Sequence, residues 1–175
     1  AEPARIERWQ RELAPYQGLK VGLVWQGRPG VRNDRQRSIP LECFAPLALG
    51  GVRLFSLQKG PGSDQLEKLA GRFEVIDLAR QLDHEGGAFL DTAAVMKELD
   101  LVIACDTSAA HLAGGLAVPV WVALSAAPEW RWLRDRDDCH WYPTMRLFRQ
   151  RELGQWNEVF ERIAAALAER LQRRG

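Results

Sequence analysis

The chain has 175 residues, 46% of them hydrophobic and 27% charged, which suits one globular domain with a substantial core and is too short for two. Its formal net charge of +1 gives no electrostatic reason for wholesale binding to nucleic acid or to a membrane surface. The basic excess is local, in the runs Arg28 to Arg37 and Arg170 to Arg174.

Short apolar runs alternate with helical stretches. Arg5 to Leu13 puts Ile6, Trp9 and Leu13 on one helical face. Lys20 to Trp25 reads as a first strand, ended by Gln26-Gly27 and a polar loop rich in Arg, Gly and Asn. Pro40 opens a short helix through Leu49, and Val52 to Leu57 is a second strand closed by Lys59-Gly-Pro-Gly62. Ser63 or Asp64 caps a helix running to Ala70. Phe73 to Leu78 is a third strand, followed by a loop with Asp83, His84, Gly86 and Gly87. Ala88 to Leu99 reads as a helix with Phe89, Ala93 and Met96 on one face. Leu101 to Cys105 is apolar throughout, as a strand buried on both faces should be. Thr107 to Leu116 is helical, Pro119 to Leu124 a fifth strand and Met145 to Phe148 a sixth. An amphipathic helix carrying Trp156, Phe160, Ile163, Leu167 and Leu171 closes the chain, its basic end matched to the helix dipole.

Strand, helix, strand with short links implies right-handed crossovers and a parallel sheet covered on both sides. The expectation is an α/β fold, a single Rossmann-like three-layer domain with a parallel sheet of about six strands. Residues 1–19 form an N-terminal helix and linker, 20–155 the binding domain, and 156–175 a C-terminal helix packed on it. Cys43, Cys105 and Cys139 form no C-x-x-C pair and the three histidines lack ligand spacing. Reduced thiols, no metal site and a cytoplasmic location are therefore expected. No apolar run reaches the roughly 18–20 residues of a membrane span, and no signal-peptide pattern opens the chain. The first residue is Ala1 rather than Met, as in an excised fragment.

Ligands of such sheets bind beyond the carboxyl ends of the strands, where the strand order reverses. With the order 3-2-1-4-5-6, two loops meet there, Trp25-Gln-Gly-Arg-Pro-Gly30 and Asp106-Thr-Ser-Ala-Ala-His111. In the second, free N–H groups at a helix start, with the Thr107 and Ser108 hydroxyls, make an anion site that His111 could also reach. The alternative is that Asp106 or Thr107 merely caps the helix and His111 is a packed core residue. Beside the first loop, Gln26 and Gly27 precede Arg37, which with Lys59 could bring positive charge to a diphosphate. Arg28, Arg32 and Arg35 read as a solvated loop. The tryptophans of Pro128 to Leu133 and His140 to Pro143 could stack on a base or sugar, seal the sheet edge or face another domain. Neither G-x-x-x-x-G-K-[ST] nor G-x-G-x-x-G occurs, which argues against P-loop enzymes and nicotinamide dehydrogenases. No G-x-S-x-G nucleophile elbow occurs either.

Taken together, Val21-Gly-Leu-Val-Trp-Gln-Gly27, Arg37-Ser-Ile-Pro40, Ser56-Leu-Gln-Lys-Gly60, Asp91-Thr-Ala-Ala94, Asp106-Thr-Ser-Ala-Ala-His-Leu-Ala113 and Trp141-Tyr-Pro-Thr-Met-Arg-Leu-Phe-Arg149 resemble the C-terminal half of bacterial TPR-repeat-linked glycosyltransferases. The Asp106 to Ala113 stretch is also similar to the D-[ST]-G-x-x-H-L-A motif of lipopolysaccharide heptosyltransferases, and O-GlcNAc transferases share the broader fold. The resemblance implies half of a GT-B fold that holds a UDP-, ADP- or GDP-linked sugar donor without a cofactor or metal. Asp106, Thr107, Ser108 and His111 would line the donor pocket, Gln26 and Gly27 would approach the diphosphate or sugar, and Arg37 would neutralise the leaving phosphate. Lys59 is a further carry-over. The catalytic base is expected in an N-terminal acceptor domain of the same polypeptide, with TPR repeats as further partners. Ala109 stands where heptosyltransferases often have Pro, and Ser108 replaces their Gly, which narrows the pocket. The second functional reading is a non-catalytic Rossmann-like binding or interaction module.

Overall fold

The computed structural model describes residues 1–30, 34–69 and 71–174. Six strands, all paired in parallel, lie in the order β3-β2-β1-β4-β5-β6. They are β1 (Leu19–Val24), β2 (Val52–Ser56), β3 (Ile76–Asp77), β4 (Leu101–Cys105), β5 (Val120–Leu124) and β6 (Met145–Arg149). The helices are α1 (Pro3–Leu13), α2 (Asp34–Arg37), α3 (Gln65–Lys68), α4 (Leu90–Lys97), α5 (Ser108–Gly115) and α6 (Trp156–Gln172).

The sheet separates two apolar layers. In β4, Val102 and Ala104 face α1, α4 and α5, while Leu101, Ile103 and Cys105 face α6 and the 3-10 segment Leu41–Leu47. The uninterrupted apolar run of β4 thus hides a period-two alternation in which both faces are core. Gly22 sits at the middle of β1 because a Cβ there would meet Leu99 Cδ1 at 2.6 Å and Leu57 Cδ1 at 2.9 Å. On one face Trp9 and Leu13 of α1 are buried, and Tyr16 packs edge-on to Phe55 at 5.2 Å between ring centroids. On the other, Phe160 of α6 packs on Phe44 at 4.2 Å.

Several local expectations change. The segment after Pro40 is a 3-10 helix, Leu41–Leu47, with Pro46 inside it; proline lacks the N–H that an α-helical bond would use. The helix expected from Ser63 or Asp64 is the single turn α3, because Asp64 makes no cap and pairs with Lys68 instead. The Ala70 end of that expectation lies outside the described residues. The third strand shrinks from Phe73–Leu78 to Ile76–Asp77, at the sheet edge, where it has only β2 as a partner. Phe89 does not join the buried face of α4; it precedes the helix with φ of 67° and is 43% exposed.

Burial has a direct chemical consequence for the thiols. Cys105 is wholly enclosed, and loss of hydration pushes its pKa up to about 12, so it carries no thiolate near neutrality. Cys43 is half-buried, and burial raises it as well. Native protein treated with iodoacetamide at pH 8 is expected to take label at Cys43 and none at Cys105 until denaturant is added. Mass spectrometry of the digests reads this, and labelling of native Cys105 would contradict the packing.

Candidate functional site

The strand order reverses between β1 and β4, and a cleft of about 330 Å3 opens there at their carboxyl ends. Gln26, Gly27, Arg37, Gln58, Lys59, Thr107 and Ser108 line it, with Asp83, Phe89 and Thr92 on the opposite wall. Six of the eight residues singled out from the sequence therefore share one cavity. Asp106 lies behind it, and His111 lies elsewhere.

Arg37 is the link between the two loops. Its Nη1 donates to the Asp106 carbonyl at 3.0 Å, and its Nε lies 3.5 Å from Asp34 Oδ1. Its guanidinium rests against Gly27, where a Cβ would come within 2.7 Å of Nη2. Glycine at this position is what lets an arginine side chain lie across the β1 loop. The Nε is buried and has no hydrogen-bond partner among the described residues.

Opposite, Thr107 precedes α5 in an extended conformation, φ −141° and ψ 169°. Its hydroxyl donates to the Cys105 carbonyl at 3.3 Å rather than capping the helix. In the first turn of α5 the Ala110 and His111 N–H groups donate to the Thr107 carbonyl at 3.1 and 3.5 Å, whereas those of Ser108 and Ala109 have no acceptor within the helix and carry the positive end of its dipole toward the cleft. Exposed Ser108 and buried Ala109 line the cleft at that turn and leave it uncrowded.

Gln58, not singled out by sequence reasoning, holds the floor. It is 3% exposed; its Oε1 accepts from the Trp25 and Gln26 N–H groups at 3.0 and 2.9 Å. Its Nε2 donates to the Gln26 and Pro61 carbonyls at 3.0 and 2.8 Å. One side chain thereby satisfies both loops, as a buried amide must. Its sequence signals were a polar residue directly after a buried strand and its place in the Ser56-Leu-Gln-Lys-Gly60 motif, neither of which assigned it a role. Gln26 itself accepts from Gln65 Nε2 at 3.2 Å. Lys59 spans the rim and donates to the Leu82 carbonyl. Arg28 is exposed at the mouth and Arg35 is exposed beyond it, whereas Arg32 lies outside the described residues.

The opposite wall is held by a cap from outside the helix. Asp83 Oδ1 accepts the Asp91 and Thr92 N–H groups of α4 at 2.7 and 3.1 Å, and Oδ2 accepts the Thr92 hydroxyl. These are donors that α4 could not satisfy itself.

His111 faces the β5–β6 connection. Its ring stacks on Trp132 at 5.1 Å and 20°, Nδ1 lies 3.2 Å from the Tyr142 hydroxyl, and Nε2 lies 3.4 Å from Arg131 Nη1. A guanidinium only donates, so Nε2 is the acceptor and the proton sits on Nδ1: the imidazole is neutral. Burial pushes the His111 pKa down, and Arg131 acts in the same sense against the opposing pull of Asp106 and Glu129. Of the nearby tryptophans, Trp132 belongs to the core, while Trp130 and Trp141 are exposed and do not line the cleft. Among the described residues, no group of three or more His, Cys, Asp or Glu could hold a metal ion, and no helix is long and apolar enough to cross a membrane.

The sign of a pH effect follows. A histidine whose folded pKa lies below its unfolded value of about 6.5 favours the folded state when neutral. That contribution is complete above the unfolded pKa and is lost as pH falls through the window below it. Thermal melts between pH 7.5 and 5 should show stability falling with acid, and more steeply in the native chain than in His111→Gln. Equal slopes would contradict the burial of a neutral ring.

No family model matches the chain. It is 32% identical over 176 residues to Protein FlbA of Caulobacter vibrioides (strain ATCC 19089 / CIP 103742 / CB 15), covering 95% of this chain but only 28% of that protein. The solved structure of E. coli ADP-heptose lps heptosyltransferase II superposes with a TM-score of 0.65 at 12% identity, over 97% of this chain and 53% of that one. The chain thus spans about half of that structure and little more than a quarter of that relative. At this identity the likeness is one of fold: the chain is a six-stranded Rossmann-like α/β domain of the kind found in a heptosyltransferase.

Proposed function

We propose that this chain is the donor-binding domain of an inverting, metal-independent glycosyltransferase, holding a nucleoside-diphosphate sugar at the β1/β4 cleft. The observation that carries the reading is Arg37, laid over Gly27 and tied to Asp106 beside the open first turn of α5. The heptosyltransferase fold supports it as an analogy. The diphosphate would meet a guanidinium on one side and helix N–H dipoles on the other, with Gln26 and Ser108 as neutral donors and Thr107, its hydroxyl committed to the Cys105 carbonyl, shaping the start of α5. Asp106 and His111 would act from behind, Asp106 by fixing Arg37 and His111 by fixing the start of α5. Lys59 would add charge at the rim.

Transfer breaks the bond between the anomeric carbon and the phosphate oxygen as an acceptor hydroxyl attacks from the opposite face. The electron pair leaves on the nucleoside diphosphate, and fixed positive charge stabilises it as it develops. The base that takes the hydroxyl proton would come from an N-terminal acceptor domain of the same cytoplasmic polypeptide, with TPR repeats as a further partner region. Residues 20–155 would be the donor domain, 1–19 its leading helix and linker, and 156–175 its closing helix. A second reading, a non-catalytic interaction module, is favoured by the exposed Trp130 and Trp141 and by the engagement of His111 away from the cleft.

A thermal-shift and calorimetric screen against UDP, GDP, ADP, TDP and their sugar conjugates separates the two. A ligand at about 100 times its Kd stabilises the native state by about 2.7 kcal/mol, and each kcal/mol raises Tm by roughly 2–4 °C for a domain of this size. One nucleoside diphosphate is expected to produce such a shift. Arg37→Ala, Thr107→Ala and Gly27→Ala should each diminish it while the unliganded fold persists. Absence of binding at millimolar concentration would favour the interaction module. The isolated chain should also transfer no sugar to any acceptor, and sustained turnover by it would overturn the assignment of the base to another domain.

A further inference from the structure

We infer that helix α1 is a positioning arm for the cleft, in which Arg5, acting through Asp91 and Asp83, sets how tightly a nucleoside diphosphate is held. The inference rests on the donor-site reading above and concerns Arg5 and Asp91, which do not line the cleft, acting on Asp83, which does.

Arg5 uses every face of its guanidinium. Nε donates to Glu2 at 2.9 Å, Nη1 to Asp91 Oδ1 at 3.1 Å and Nη2 to the Glu85 carbonyl at 3.2 Å. Gly86 leaves room for it, since a Cβ there would stand 2.6 Å from Nη2. Trp9, one helical turn further along α1, donates from Nε1 to the same Asp91 oxygen at 3.3 Å. The other Asp91 oxygen accepts the Asp83 N–H at 3.0 Å, and the Asp83 carboxylate returns to the Asp91 and Thr92 N–H groups. Two carboxylates are thus cross-tied, and the arm grips one of them.

Those ties end on the cleft wall. Asp83, Phe89 and Thr92 line the cavity, and the Leu82 carbonyl holds Lys59 at its rim. The wall loop has little to fix it from within: residues 84–89 are exposed, and Gly86 and Gly87 have φ of 85° and 124°. Asp83 and Phe89 sit at φ of 53° and 67°, a region that non-glycine residues occupy only when their surroundings hold them there. At Asp83 the holding contact is its N–H bond to Asp91, and Arg5 and Trp9 in turn hold Asp91. Asp91 is buried, which alone would raise its pKa, but its bonds to Arg5, Trp9 and the Asp83 N–H outweigh this and hold it below the usual carboxylate range. The carboxylate therefore stays charged at neutral pH, and the grip on it is ionic. Without Arg5, Asp91 retains Trp9 and the more distant Arg8, 3.9 Å away, but loses the one side chain that ties it to the Glu85 carbonyl of the loop.

The test uses the whole chain. Calorimetric titration with UDP, GDP and ADP is run on native protein, Arg5→Ala and Arg5→Lys, alongside hydrogen exchange of segment 82–92 without ligand. For the nucleotide that binds native protein, Arg5→Ala should weaken Kd about tenfold, a loss of roughly 1.4 kcal/mol. The Asp83, Asp91 and Thr92 amides should exchange faster while Tm shifts little. Arg5→Lys, which keeps the charge but cannot reach Asp91 and the Glu85 carbonyl together, should recover part of the affinity. Unchanged Kd in Arg5→Ala, despite faster exchange, would overturn the arm and leave the donor site standing. If the native chain binds none of the three nucleotides, the donor site falls first and takes the arm with it. A loss of affinity in Arg5→Ala that merely tracks a lower Tm, with no recovery in Arg5→Lys, would reduce the arm to general stability and also overturn it.

Discussion

The reversal of strand order between β1 and β4 is the constraint on which the rest depends. Because β2 and β3 lie on one side of β1 and β4, β5 and β6 on the other, the crossovers from β1 and β4 leave in opposite directions. Among the described residues, no crossover helix covers the gap between the two strand ends. Backbone in such a gap must find its partners from side chains. Arg37 supplies the bond to the Asp106 carbonyl and Gln58 supplies four more to the β1 and β2 loops. The cleft is thus held open by polar side chains that are themselves largely satisfied, a cavity already shaped before any ligand enters.

The charge around it is divided unevenly. Arg37 and the start of α5 place positive potential at the β1/β4 ends, while Asp83 sits on the far wall with its oxygens already committed to α4. A carboxylate in that state repels an anion but does not compete for Arg37. An anionic group is therefore drawn to one end of the cleft, and the apolar Leu57 and Phe89 remain for the less polar part of the same ligand. This division is what a nucleoside diphosphate would need, and it follows from hydrogen bonding rather than from net charge, which is only +1.

The sheet was legible in the sequence wherever burial was strong. β4 declared itself by five apolar residues in a row, the alternation with helices implied a parallel sheet, and the order expected from other sheets of this kind is the one found. β3 was read in the right place but too long, because Phe73 and Val75, only half-buried, precede the two residues that pair with β2 at the sheet edge. Arg37, Thr107 and Ser108 could be placed near one another because strand-end loops meet at a topological switch point. His111 could not be oriented, since Arg131 and Tyr142 lie 20 and 31 residues away, the first in the short 3-10 turn Trp130–Trp132 of the β5–β6 connection, which carries no sequence period. Asp91 stood in a quoted motif and Asp83 in a named loop, but their pairing was not legible: each caps the other's backbone across eight residues, and no local spacing encodes that. Asp91 and Thr92, buried beside the apolar run Ala93 to Met96 of α4, were the visible sign of a polar partner.

The most direct test of the account is to map amide chemical shifts on isotope-labelled protein during titration with UDP, GDP or ADP. The account predicts that one nucleotide moves the amides of Gln26, Gly27, Thr107, Ser108 and Ala109 together, saturating with a single Kd. Shifts centred instead on the exposed Trp130 and Trp141, or none at millimolar nucleotide, would contradict a donor site at the β1/β4 cleft.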